Sequence, residues 1–233
     1  MSNILSSDLY NKLYSEKTII GIFDLEKRKI SISPSLLLDL FFKEKEFEIK
    51  NINDNLYIFC KQKVDDYVKV KNVIKNDLNT LERIISQYIH YKKINGIFPF
   101  TRYIRDLDFL IKKYKLNLNH LEFVGTPDII LVLQTNKNEI KVPVEIKNIK
   151  ISSEKRIVKI SYFQIKCYSY ILFSPHAFCI LISQEEENPF RVLHVKFDND
   201  LSSYVEKIII KGIYKILEII PGAGFEPATS RFL

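Results

Sequence analysis

The stretch GTPDIILVLQTNKNEIKVPVEIKNIK, residues 125 to 150, reads as a β-hairpin. A short run, Asp-Ile-Ile-Leu-Val, is followed by a polar turn from Thr135 to Glu139 and then by Lys-Val-Pro-Val-Glu-Ile-Lys. Glu145 and Lys147 are two apart, so on a strand they share a face while Ile146 points the other way. Asp128 opens the neighbouring strand. Two carboxylates beside an ammonium, set among apolar neighbours, can hold a hard divalent cation and a water, which suits metal-assisted hydrolysis. Left without a partner, such charges would be costly between apolar strands. In a chain this rich in Glu and Lys, the same letters also describe an edge hairpin with a surface ion pair.

The 233 residues can bury one sizeable core, and one elaborated domain is expected over residues 1–220. Residues 1–75 read as an N-terminal elaboration and 76–220 as the core carrying the hairpin. With 46% hydrophobic and 27% charged residues, the composition is that of a globular protein. No run of about 18 apolar residues occurs, so no membrane span is expected. Charges throughout the first twenty residues argue against a secretory signal, and a cytoplasmic location is expected. Cys60, Cys167 and Cys179 form no CxxC pair and read as reduced core thiols. A formal charge of +7 favours an anionic partner such as nucleic acid, though weakly.

Around the hairpin the pattern alternates between strands and helices. TIIGIFDLEKRKISIS (18–33) looks like one or two short strands, and SPSLLLDLFF like a helix with Pro in its first turn. NLYIFCKQ and DDYVKVKNV read as a hairpin. A helix is expected over 77–94, with Leu81, Ile84, Ile85, Tyr88 and Ile89 as its stripe and Asn79 or Thr80 as cap. A second helix, TRYIRDLDFLIKKY, would carry Arg102 and Arg105, and LEFVG is a short strand. After the hairpin, SSEKRIVKISYFQIKCYSYILF forms a long helix whose Gln164 and Tyr168 share a face. Two strands, HAFCILISQ and FRVLHVKFD, and an amphipathic helix close the body, giving a mixed sheet flanked by helices.

Singly, the remaining site candidates are weak. A lone His on an amphipathic helix, such as His90, is more often structural than a ligand. Gln164 and Tyr168 would ordinarily be a half-exposed helix face, and the basic residues from 155 to 166 a solvated one. Walker, Rossmann, GxSxG and zinc-finger patterns are missing.

Taken in order, these pieces resemble the PD-(D/E)XK nuclease superfamily, and within it the RecB-like branch that includes the CRISPR-associated (Cas-four type) exonucleases. That branch shows a His on a helix, G-x-x-D and E-x-K on successive strands, and Q-x-x-x-Y on the next helix. Here they stand as His90, Gly125-Thr-Pro-Asp128, Glu145-Ile-Lys147 and Gln164-Ile-Lys-Cys-Tyr168. The resemblance covers roughly residues 30 to 220. It implies a restriction-endonuclease-like α/β core and a divalent-metal-dependent DNA nuclease, with a RecB-like exonuclease acting on single-stranded ends favoured. A junction-resolvase-like endonuclease on the same core, or a catalytically weak DNA- or partner-binding subunit, stays open.

The resemblance implies that Asp128, Glu145, the Ile146 carbonyl and His90 ligate Mg²⁺ or Mn²⁺, with Glu82 in reserve for His90. Lys147 would position or deprotonate the attacking water, and Gln164 and Tyr168 would orient the strand. Arg102, Arg105, Lys155, Arg156 and Lys159 are candidate phosphate contacts. CRISPR adaptation proteins, in antiviral defence, or a second copy of the chain are the implied partners. Relatives of the CRISPR-associated type bind an iron–sulfur cluster. Phe42 occupies the place of the first cluster cysteine and no cysteine follows Cys179, so no cluster is expected.

The last thirteen residues, PGAGFEPATSRFL, differ from the body. They hold two of the three alanines and two of the six glycines. Gly-Phe-Glu-Pro can be encoded by GGN-TTC-GAA-CCN, a pattern resembling the T-arm of a tRNA gene. The tail is therefore expected to be a run-on of the reading frame, against the plainer reading of a Gly/Pro-rich disordered tail. The genomic sequence past codon 220 decides: a tRNA gene is expected there, and its absence sinks the run-on reading.

Overall fold

The computed structural model describes residues 17–24, 26–42, 49–53, 56–62, 78–149, 154–183 and 190–219. The expected strand over 65–73 and the tail lie outside these residues. The chain forms two compact units from discontinuous segments, 1–63 with 105–123 and 203–233, and 64–104 with 124–202.

The first unit is built on strands β1 (Lys17–Asp24), β2 (Lys29–Ile32), β3 (Ile49–Asn53) and β4 (Leu56–Gln62), with helix α1 (Pro34–Phe42). Ser33 Oγ accepts the Leu36 N–H at 3.2 Å, so the Ser-Pro start caps α1 as its sequence requires. Leu36 and Leu37 are fully buried. The sheet runs β3-β4-β1-β2-β7-β6, where β6 is Tyr103–Asp106 and β7 is His120–Gly125. Among the described strands, β4 pairs with β3 and with β1.

In the second unit, helix α2 spans only Leu78–Ser86. The expected helix over 77–94 stops there: residues 87–92 are turn and irregular chain, and strand β5 (Lys93–Pro99) follows. Asn79 and Thr80 lie inside the helix and do not cap it. The expected helix from 101 also divides. Its first part is β6, with Arg105 on the strand and Arg102 just before it, and only Asp108–Tyr114 is helical (α3).

From here the pattern and the structure agree. Strands β8 (Ile129–Gln134) and β9 (Glu139–Ile149) form the antiparallel hairpin, in register from Ile129↔Val144 to Gln134↔Glu139. Helix α4 (Glu154–Leu172) carries the chain to β10 (His176–Ser183), which pairs parallel with β9. A parallel pair needs such a crossover. Strand β11 (Phe190–Lys196) follows antiparallel to β10, then helix α5 (Asn199–Ile219). The order β11-β10-β9-β8-β5 is a mixed sheet, parallel between β9 and β10 and antiparallel at the other pairs. Among the described residues, no helix is long and apolar enough to cross a membrane.

The alternation of β9 sorts two layers. Val142, Val144 and Ile146 join Ile129, Leu131, Leu133, Phe178 and Ile180 in a core that takes Leu81, Ile84, Ile85 and Ile89 from the α2 side. Each such side chain contributes about 1.5–3 kcal/mol when fully buried. The intervening residues Glu145 and Lys147 therefore face away from α2. Helix α4 packs against β9 and β10.

At the outer edge, His194 stacks on Phe178, with centroids 4.6 Å apart, and lies 4.8 Å from Tyr88. Its Nε2 is 2.9 Å from His176 Nδ1, so one of the two nitrogens carries the shared proton. Burial, then His176 and Lys196, push His194 down to about 4, and burial and Lys196 lower His176. Both lie below the ordinary value of about 6.5, so as pH falls the unfolded chain takes up protons first. Their contribution to stability is present above about pH 6.5 and lost as pH falls through about 4. The urea midpoint is expected to drop over that window, and to drop less in His194→Phe, which keeps the stack. Equal drops in both proteins would exclude this pair as the cause.

Candidate active site

Asp128 is buried in the bend just before β8. Its carbonyl accepts the Phe100 N–H at 3.1 Å, which ties the start of β8 to the end of β5. Its side-chain Oδ2 accepts the Ile146 N–H at 2.7 Å. The reason lies in the register. Pairing of β9 with β8 ends at Ile129↔Val144, whereas pairing with β10 continues to Ile149. Beyond Val144, then, no strand among the described residues pairs with that edge of β9, and the Asp128 carboxylate receives the Ile146 N–H there. In an extended strand a residue's N–H and C=O leave on the same edge, so the Ile146 carbonyl is directed to the Asp128 side.

Glu145 is 3% exposed. Its Oε1 lies 2.5 Å from the Lys147 ammonium, while its Oε2 is buried with no hydrogen-bond partner on the protein. A buried carboxylate oxygen left unpaired costs several kcal/mol at the high end of the usual range, about 1–3 kcal/mol for a neutral group and more for a charged one. A divalent cation bound to Glu145 Oε2 would supply the partner that this oxygen lacks, so the residues present fit a hard cation.

Helix α4 brings the next pair. Gln164 and Tyr168 are both buried, and Gln164 Oε1 also has no hydrogen-bond partner on the protein. Burial, then Glu145 and Asp128, hold the Tyr168 phenol well above its usual pKa, so it stays protonated near neutrality. The charges of Glu145 and Asp128 both act on this phenol. Tyr168 also explains Gly125: a Cβ there would meet Ile171 Cδ1 at 2.6 Å and Tyr168 Cδ1 at 3.0 Å. The glycine of G-x-x-D lets α4 sit close enough to deliver the tyrosine of Q-x-x-x-Y.

His90 does not stand on a helix. It is exposed, beyond the end of α2 and before β5. Glu82 is half-buried on α2, where its carbonyl accepts from the Tyr91 hydroxyl at 3.3 Å. Among the described residues, the group of three or more potential ligands within 4.8 Å of one another is Asp106, Asp108 and His120. His90 with Asp128 and Glu145 does not form such a group. The Asp106–Asp108–His120 set has structural duties. Asp106 accepts the Asp108 N–H at 2.8 Å, and Asp108 accepts the Leu121 N–H at 2.9 Å and lies 3.0 Å from His120 Nδ1. Lys155, Arg156 and Lys159 are exposed on the first turns of α4. Arg102 is exposed and Arg105 half-buried, neither on a helix.

Two neighbours of the site escaped the sequence reading. Cys179 is in register with Glu145 across the β9–β10 pair and is fully buried. Burial first, with Glu145 and Asp128 adding, pushes its thiol up to about 12. Ser161, fully buried, precedes Gln164 by three residues. The i, i+3 spacing to Gln164 was the available signal.

Neither a family model nor a curated protein matches this chain. Among solved structures, the protein crystallised as SSO0001 is 10% identical over 84% of this chain and 87% of its own, with a TM-score of 0.42. The alkaline exonuclease LHK-Exo from Laribacter hongkongensis is 8% identical over 81% and 88%, TM-score 0.39. A phage-related exonuclease from Haemophilus somnus is 12% identical over 79% and 80%, TM-score 0.37. Likeness at this level assigns no activity. The functional reading rests on the site.

Gly125→Ala is expected to destabilise the protein by about 1–3 kcal/mol, the usual range for overpacking. Urea denaturation measures it, and an unchanged midpoint would contradict the close approach of α4.

Proposed function

We propose that this protein is a divalent-metal-dependent DNA nuclease of the PD-(D/E)XK type, hydrolysing phosphodiester bonds at the Asp128–Glu145–Lys147 site. The observation that carries the reading is the buried Glu145 Oε2, without a protein partner, beside Asp128 and Lys147. Asp128, Glu145 and the Ile146 carbonyl would hold Mg²⁺ or Mn²⁺. When bound, the cation supplies Lewis-acid polarisation of the phosphate and a more acidic water.

The chain's own residues do the rest. Asp128 is fixed by the Ile146 N–H and cannot rotate away without leaving a backbone donor unpaired. The Lys147 ammonium, held by Glu145 Oε1, orients the attacking water and offsets negative charge gathering on the phosphate. Protonated Tyr168 offers a donor beside the carboxylates, and Gln164 offers both donor and acceptor to the strand. Lys155, Arg156 and Lys159 would contact phosphates, making binding strongly salt-dependent. Exposed and apart from the carboxylates, His90 is left out of this ligand set.

The finer reading is an exonuclease acting on single-stranded ends, which rests on the RecB-like order of motifs. Mn²⁺-dependent cleavage of end-labelled linear single-stranded DNA is expected, with circular DNA left intact. Lys147→Ala should lower the rate by about a hundredfold or more, and Asp128→Ala likewise, whereas His90→Ala stays near wild type. Cleaved circles would replace the exonuclease with an endonuclease. No cleavage by the parent, or an undiminished Lys147→Ala, would overturn the nuclease reading.

A further inference from the structure

Helix α4 presents two faces. Gln164 and Tyr168 are buried, on a helix that packs against β9, β10 and β11. Lys155, Lys159, Tyr162 and Lys166 follow one another at steps of four, three and four residues. At about 100° per residue they fall within roughly 60° of arc, about half a turn round the helix axis from Gln164 and Tyr168. The stripe therefore looks away from the buried pair. Lys155, Lys159 and Tyr162 are exposed, Tyr162 at 38%, and Lys166 is half-buried.

The charge of this face is of one sign. The helix carries a single acid, Glu154, and that carboxylate is already paired with Arg191. Among the described residues, Lys155 and Lys159 make no ion pair, and the Tyr162 ring rests on no other ring. A solvated helix face gains nothing from tyrosine at such a position, since Lys, Gln and Glu all favour the helix more. What tyrosine adds is a flat apolar ring between cations. Proteins that hold single strands without reading their sequence combine these two elements, stacking bases on aromatic rings and tracking the backbone with positive charge. From Lys155 to Tyr162 is about 10 Å along the axis, roughly three nucleotides at about 3.4 Å each. The row is one side chain wide, which suits one strand, whereas a duplex keeps its base faces covered by its own stacking.

We propose that this outer face of α4 is a holding site for single-stranded DNA, with Tyr162 stacked on a base and Lys155 and Lys159 on the phosphates beside it. Because it lies across the helix from Gln164 and Tyr168, it grips a part of the strand other than the scissile bond. The inference rests on the nuclease reading for its choice of ligand.

Binding of a thymidine oligonucleotide to the full chain, in EDTA so that no cleavage intervenes, tests it. Tyr162→Ala should weaken binding by about tenfold, a usual loss for one stacked base, with an unchanged urea midpoint. Lys159→Gln should flatten the dependence of log affinity on log salt by about 0.7. The chain contains no tryptophan, so Tyr162→Trp places a lone fluorescent reporter on the stripe. Near wild-type affinity is expected of that variant, with its emission quenched by the oligonucleotide. Wild-type affinity in Tyr162→Ala, unquenched emission in Tyr162→Trp, or equal losses for the single strand and a duplex would each overturn the proposal and leave the nuclease reading standing. An oligonucleotide bound with quenching but never cut with Mn²⁺ supports the holding site and removes the nuclease reading alone. A chain that binds no oligonucleotide sinks both.

Discussion

A single hydrogen bond, from the Ile146 N–H to Asp128 Oδ2, sets the terms for the rest of this site. It forms because β8 starts too late to cover the end of β9. The uncovered edge would otherwise present buried backbone groups with no partner, a costly arrangement in any fold. A carboxylate in the strand's place solves the backbone problem and introduces a charge problem. Lys147 and the geometry around Glu145 respond to the second. The chemistry of the site thus begins as a consequence of sheet register.

The same register keeps the charges apart from the core. Residues 142, 144 and 146 pack toward α2, and 145 and 147 toward the opposite layer. A slip of one residue would drive both charges into the aliphatic cluster and expose its valines. The apolar cluster therefore acts on the site from the other face of the sheet: the cost of burying Glu145 and Lys147 there locks their side. Gly125 works in the same sense from α4, since its missing side chain allows Tyr168 to close over the carboxylates.

The hairpin, the long crossover helix and the two strands after it were legible because their periods are unmixed. Where periods overlap, the reading failed. Ile89 continues the α2 stripe and is buried, yet the chain there has already left the helix. Ile94 and Ile97 prolong the apolar spacing, but they belong to β5, whose register shifts between Ile94 and Gly96. In β6 the half-buried Tyr103 and Arg105 alternate with exposed Ile104 and Asp106. A strand that hides its arginine and exposes its isoleucine has no ordinary sequence signature. His90 was placed on a helix by the same overrun. Ser161 and Cys179 were hidden for another reason: a small polar residue and a thiol in a core look alike until a cross-strand neighbour is known. The discontinuous make-up of the two units was equally hidden, since no Gly/Ser linker marks where the chain passes between them.

Gly125, Asp128, Glu145, Lys147, Ser161, Gln164, Tyr168 and Cys179 all fall within one unbroken stretch of chain. Its contacts are short-range in sequence: a hairpin closes Asp128 onto Ile146, and one helical crossover returns β10 to β9. Loop closure of this kind costs little entropy, and contacts at small separation form early and fast. The stretch from 125 to 179 can therefore take its shape from contacts close in sequence, ahead of those that need distant parts of the chain.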